Sequence, residues 1–180
     1  QGQYLTVPFR LASNPSNPNF ESPLPMIIDK NGYIIMYLPT ENEVNSIFKY
    51  WPDHKKFTLY STKGQNFIYQ VFDSLLNPID TILNSPGIDR DWHEFQLLDN
   101  GGYLIAGAKI DTADLSLDTI AGIPGNQTTP ILGFVIEEFD STGNLIIQWN
   151  SNDWIAPTEF IDNYPYDSTK FDYCHGNAIE

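Results

Sequence analysis

The sequence predicts an all-β protein built from repeated four-stranded antiparallel units. Three observations carry that expectation. Aromatic residues make up 14% of the chain and charged residues only 18%, a composition that favours packed strands over disorder. Short apolar runs alternate with turns of the Asp-x-x-Gly or Asn-Gly kind, the strongest local hairpin signal. Hairpins of two types also follow one another in alternation. Four strands repeated as a unit are the mark of a β-propeller, whose blades run roughly 40–50 residues each. A β-sandwich also uses short strands and regular turns, but it does not by itself call for the alternation.

In chain order, "LASNPSNPNFESPLP" (Leu11–Pro25) is a loop, because its prolines forbid a central strand. With an N-terminal strand it makes up residues 1–25, ahead of the expected propeller blades in residues 26–180. "MIIDKNGYIIMYL" (Met26–Leu38) reads as strand, turn, strand. "IFKYWPDHKKFTLYS" (Ile47–Ser61) and "FIYQVFDSLLNPIDTI" (Phe67–Ile82) read as two further hairpins. Phe95–Ile105 repeats the first type around Asp-Asn-Gly-Gly, and Phe134–Trp149 repeats the second, with Phe139-Asp140 before its turn. Aligning Phe48 on Phe95 sets Ser46 opposite His93. Segments Ala108–Leu132 and Asn150–Phe171 read as loop insertions, with at most a turn or two of helix at Ala113–Ile120. The last residues, "DYCHGNAIE" (Asp172–Glu180), read as the first strand of a further blade. About two blades, a leading hairpin and one further strand do not close a ring of about four to eight blades. The 180 residues are therefore expected to be part of a larger ring, completed by another segment or chain. The start at Gln1 rather than Met points the same way.

Charge excludes some partners. Nine basic residues against 23 acidic ones give a net charge of −14, which repels phosphate backbones, so nucleic acid is not an expected partner. One cysteine, Cys174, permits no internal disulfide and no cysteine-built zinc site. No stretch reaches the roughly 20 apolar residues of a membrane span, and no signal peptide is visible. Asn126-Gln127-Thr128 fits the N-glycosylation acceptor pattern.

The candidate site rests on two histidines. "DWHEFQLL" (Asp91–Leu98) aligns with "DYCHGNAIE": each has an acid, an aromatic, then a histidine entering a strand. In a propeller, His93 and His175 then stand at equivalent points of adjacent blades, facing one axial pocket. Two imidazoles there bind an anion, orient a nucleophile or ligate a metal. Asn177, two residues beyond His175, shares its face if the strand is regular. Arg90 and Trp92 lie at the mouth of the same pocket, as an anion contact and an aromatic substrate contact. Arg90 also has acidic neighbours, Asp89 and Asp91, with which to pair. His54 sits in a polar turn and Cys174 on the face opposite His175, so neither is a candidate. Asp29-Lys30-Asn31-Gly32 lacks the rest of a calcium loop and reads as a turn.

"PLPMIIDKNGYIIMYL", "WHEFQLLDNGGYLIAG", "VIEEFDSTGNLIIQWNSNDW" and "DYCHGNAI", in that order from about Phe9 to the end, resemble the bacterial arylsulfotransferases. The resemblance implies a six-bladed β-propeller, exported to the periplasm or cell surface. The implied activity moves a sulfuryl group from an aryl sulfate to a phenolic acceptor, with neither nucleotide donor nor metal. Asp172, Tyr173, His175 and Asn177 match the most specific motif, in which the histidine and asparagine bind the sulfuryl group. His93 matches a second active-site histidine. Its setting is Trp92-His93-Glu94, where the family has His-His-Asp, and Ala178 stands where a serine is usual. The histidine that becomes sulfated and its assisting arginine are implied to lie beyond Glu180. Three Asp-Ser/Thr-apolar triplets, at Asp73, Asp80 and Asp118, match an O-glycosylation pattern of some exported bacterial proteins. The competing expectations are a non-catalytic exported propeller that binds a glycan or protein, and a structural piece of a secreted assembly.

Overall fold

The structure, a computed structural model, describes residues 3–6, 24–39, 45–63, 66–120, 122–160 and 170–179. Among the described residues it is all-β, mainly in antiparallel sheets, and the helical turns are two short 3₁₀ segments, Ser151–Asp153 and Pro157–Phe160. Most of the proline-rich loop lies outside the described residues. No described helix is long and apolar enough to cross a membrane. The chain divides into two compact units, Gln1–Leu83 and Asn84–Glu180.

In the first unit, β1 (Gln3–Thr6), β2 (Met26–Asp29) and β3 (Ile34–Tyr37) form a three-stranded sheet. β4 (Asn45–Trp51), β5 (Lys56–Lys63), β6 (Asn66–Phe72) and β7 (Pro78–Ile82) form a four-stranded meander in sequence order. The two hairpins expected at Ile47–Ser61 and Phe67–Ile82 thus join into one sheet. Its core gathers Ile27, Leu38, Phe48, Phe57, Leu59, Phe72 and Leu76. Fully burying a side chain such as Leu59 contributes about 1.5–3 kcal/mol.

The second unit repeats the meander with longer strands. β8 (Asp89–Leu97), β9 (Tyr103–Ala113), β12 (Thr129–Phe139) and β13 (Leu145–Asn150) lie side by side in that order. Between β9 and β12, β10 (Thr119–Ile120) and β11 (Ile123–Pro124) form a minimal hairpin. Rings stack across three strands, Phe95 on Tyr103 at 6.1 Å and Tyr103 on Phe139 at 5.0 Å, the kind of cross-strand pairing that fixes register.

The same turn closes four hairpins. In each, the first residue's N–H donates to the fifth residue's carbonyl, and its carbonyl accepts from the fourth residue's N–H: Asp29, Asp73, Leu98 and Asp140 are the first residues. At Asp29, Asp73 and Asp140 the side-chain Oδ1 also accepts the N–H of the fifth residue. The fourth position requires a positive φ, and glycine fills it at Gly32, Gly101 and Gly143; Leu76 holds it at φ 63°.

Two expectations are corrected. Residues 108–113 and 129–132 are not loop. They continue β9 and β12, paired from Lys109↔Gly133 to Ala113↔Thr129, and residues 113–120 hold no helix. Leu115, Ile120 and Ile131 bury together there, which gives the longer ladder a core of its own. Residues 172–179 do not make a blade-entry strand either. Only Phe171–Asp172 (β14) are strand, running parallel to β12. The cause is burial: Phe171 and Tyr173 sink into the same core.

Candidate functional site

His93 sits on an irregularity in β8. Arg90 pairs with Gly107 and Phe95 with Ile105, so five steps along β8 span two along β9. Such a bulge bends the strand and re-aims its side chains. The bulge is held locally, because Asp91 Oδ1 accepts the His93 backbone N–H at 2.7 Å and also lies 2.5 Å from His93 Nδ1. The regular ladder resumes at Phe95, which is buried. A smaller irregularity between Asn45 and Phe48 stands at the matching place in β4, where the alignment sets Ser46.

His175 is positioned from both sides. Upstream, Phe171 and Tyr173 are fully buried, and Tyr173 Oη donates to Asn152 Oδ1 at 2.8 Å. Burial pushes the Tyr173 hydroxyl above its ordinary pKa, so it stays a proton donor. Downstream, Gln96 Nε2 donates to the Ile179 carbonyl. Between these anchors Gly176 lies against Phe134: a Cβ there would come within 2.4 Å of the ring.

These anchors bring His93 and His175, 82 positions apart in sequence, to a ring-centroid separation of 5.8 Å with planes at 79°. Each Nδ1 meets a carboxylate: Asp91 for His93, and Asp172 at 2.9 Å for His175. A carboxylate on Nδ1 fixes ring orientation and leaves the chemistry to Nε2. Metal-capable atoms of Asp91, His93 and His175 all lie within 4.8 Å of one another. His175 is 40% exposed and His93 28%, so the pair is reachable from solvent.

The other sequence-predicted residues fare differently. Asn177 is exposed and outside any strand, so the same-face argument from strand alternation does not apply to it. Arg90 and Trp92 belong to β8 by their backbone, while their side chains fall outside the described residues. Cys174 packs at the edge of the Phe171–Tyr173 core, and His54 lies partly buried in its turn. The sequence reading gave Asp91 a pairing with Arg90 and Asp172 a place in the motif, and took neither as the partner of its histidine. Their signal was present: an acid two residues before one histidine and three before the other.

No family model, curated protein or solved structure matches the chain. Fold and site therefore define it by class: an all-β protein carrying a carboxylate-anchored histidine pair.

Proposed function

We propose that this chain belongs to a β-propeller that binds the sulfuryl group of an aryl sulfate ester and delivers it to a phenolic acceptor. The observation that carries the reading is the meeting of His93 and His175. Only a tertiary arrangement joins them, and they are the two positions that the arylsulfotransferase resemblance marks. Two successive four-stranded meanders support the blade reading.

The chain's own residues bind and orient. In the imidazolium form, with Nδ1–H on its carboxylate, each of His93 and His175 also presents an Nε2–H, and these with the Asn177 amide are donors suited to three sulfuryl oxygens whose charge grows during transfer. Arg90 and Trp92, neighbours of His93 along β8, are on this reading the residues that meet the anion and the aryl ring. In the implied ping-pong sequence a further histidine attacks sulfur as the S–O bond to the first phenol breaks, and that phenol leaves. The acceptor phenol's oxygen then attacks sulfur, the S–N bond breaks and the histidine is regenerated. Partners on this reading are the aryl sulfate, the phenol and the segment or chain completing the ring, in an exported setting.

The test is an NMR titration of the histidine rings with 4-nitrophenyl sulfate, in the presence of chelator. Saturable shifts of His93 and His175, with His54 unmoved and the effect weakened at least tenfold in Asn177→Ala, are expected. The protein carrying this chain should release nitrophenolate only with an acceptor phenol, and not as His175→Ala. Unmoved His93 and His175 resonances at saturating ester would remove the sulfuryl reading and leave a propeller that binds another ligand.

A further inference from the structure

The setting of the histidine pair suits a cation. Two carboxylates, Asp91 and Asp172, contact the rings. A cation gains from both charges. Asp172 adds an independent sign. Its Oδ2 holds His175, while its Oδ1 is buried without a hydrogen-bond partner. A buried carboxylate oxygen with no donor is costly, and a cation bound at the adjoining imidazole offsets that cost.

The bonding pattern specifies the kind of cation. Histidines that ligate metals commonly give their second ring nitrogen to a carboxylate, which sets the tautomer and aims the ligating nitrogen. His175 has that arrangement through Asp172, while Asp91 stands beside His93 as a ligand from the same side of its ring. Imidazole nitrogen with carboxylate oxygen selects zinc, nickel or copper over calcium and magnesium, which prefer oxygen alone.

We infer that His93, His175 and Asp91 bind a single divalent transition-metal ion of the zinc class, and that Asp172 positions the His175 ring. Ligand atoms on one tetrahedral ion stand about 3.4 Å apart, given ligand distances near 2.1 Å. The present spread of up to 4.8 Å closes by side-chain rotation, for which the exposed His175 has room. The remaining positions on the ion stay open to water or to an oxygen ligand. The inference holds whether or not the cluster handles sulfate esters.

The test takes the chain stripped of metal by chelator and dialysis and titrates it with Zn2+ by calorimetry, without any sulfate ester. One ion per chain is expected, with no saturable binding of Ca2+. His93→Ala and His175→Ala should each abolish saturable Zn2+ binding, and Asp172→Asn should weaken it about tenfold. His54→Ala should bind as the parent does. Circular dichroism checks that each variant is folded. Independently of any variant, one equivalent of Cu2+ on the parent chain should show electron-spin-resonance couplings to two imidazole nitrogens. Absence of saturable Zn2+ binding, retention of it in folded His175→Ala, its loss in His54→Ala, or a Cu2+ spectrum with fewer than two imidazoles would overturn the site.

Discussion

The Glu137 carboxylate, fully buried on β12, accepts a 3.0 Å hydrogen bond from the side chain of Asn84, itself almost buried. Two more donors complete its shell, the Ser85 N–H at 3.1 Å and Gln148 Nε2 at 2.8 Å. Charged hydrogen bonds of this kind make a buried carboxylate tolerable, and they pin the approach to β8 against the middle of the sheet. Removing the acceptor strands three donors. Glu137→Ala is expected to destabilise the second unit by about 3 kcal/mol and Asn84→Ala by about 2 kcal/mol. Urea denaturation measures both. Equal and small losses would mean that water replaces the carboxylate.

The aspartate turns should make the protein acid-sensitive. Hydrogen bonds hold these carboxyls below their ordinary value of 3.8. For Asp29 the Tyr33 N–H is the leading cause, for Asp73 the Asn77 side chain, and for Asp140 the Asn144 side chain followed by Thr142. A depressed carboxyl stabilises the fold fully above its unfolded value and loses that contribution as the pH falls through its lower folded value. Stability should therefore hold at neutral pH and decline below 3.8. Asp140→Ala should lower the urea midpoint at neutral pH, and the gap to the parent should shrink steadily as the pH drops below that value. A gap independent of pH would show that the carboxyl's charge is irrelevant to the turn.

Leu76 and Gly143 occupy the same turn position with opposite solutions. At Gly143 φ is 83°, and an added Cβ would meet nothing nearer than the Tyr103 hydroxyl at 4.0 Å. Gly143→Ala should cost about 1 kcal/mol, from backbone conformation alone. Leu76 accepts the same backbone cost and buries its side chain in the first core. Leu76→Gly relieves about 1 kcal/mol of strain but forfeits about 2–3 kcal/mol of burial, so a net loss of about 1–2 kcal/mol is expected. A more stable Leu76→Gly in thermal melts would mean that strain outweighs packing there.

Gly176 controls the histidine pair through Phe134. A methyl at that position cannot coexist with the ring where it stands, so Gly176→Ala must shift either Phe134 or the Cys174–Asn177 segment. His175 is expected to separate from His93. The measurement is the nuclear Overhauser contact between the two imidazole rings, present in the parent and absent in the variant. Persistence of that contact would show that Phe134 alone gives way.

Much of the architecture was legible. The five expected hairpins lie where alternation and turn residues put them, since the period of two and the turn chemistry are properties of contiguous residues. The repeat aligned Phe48 with Phe95, but the strand irregularity that precedes each of them came from the structure alone. The candidate site was legible only as two similar words, "DWHEF" and "DYCHG". The acids in those words stand two and three residues before the histidines, but only the structure shows each holding its own histidine by Nδ1.

The sequence by itself determined the strands, the turn that closes four hairpins and the succession of two meanders, because those follow from neighbours within a few residues. Tertiary structure decided the rest. It continued β9 and β12 through what reads as a loop, because Leu115, Ile120, Ile131 and Phe171 bury one another across the intervening chain. It turned the final residues into a short parallel strand, wrapped Glu137 in donors from two distant segments, and set His93 against His175. Each of these depends on contacts between residues far apart in the chain. Burial and hydrogen-bond satisfaction select them only once the whole sheet has formed.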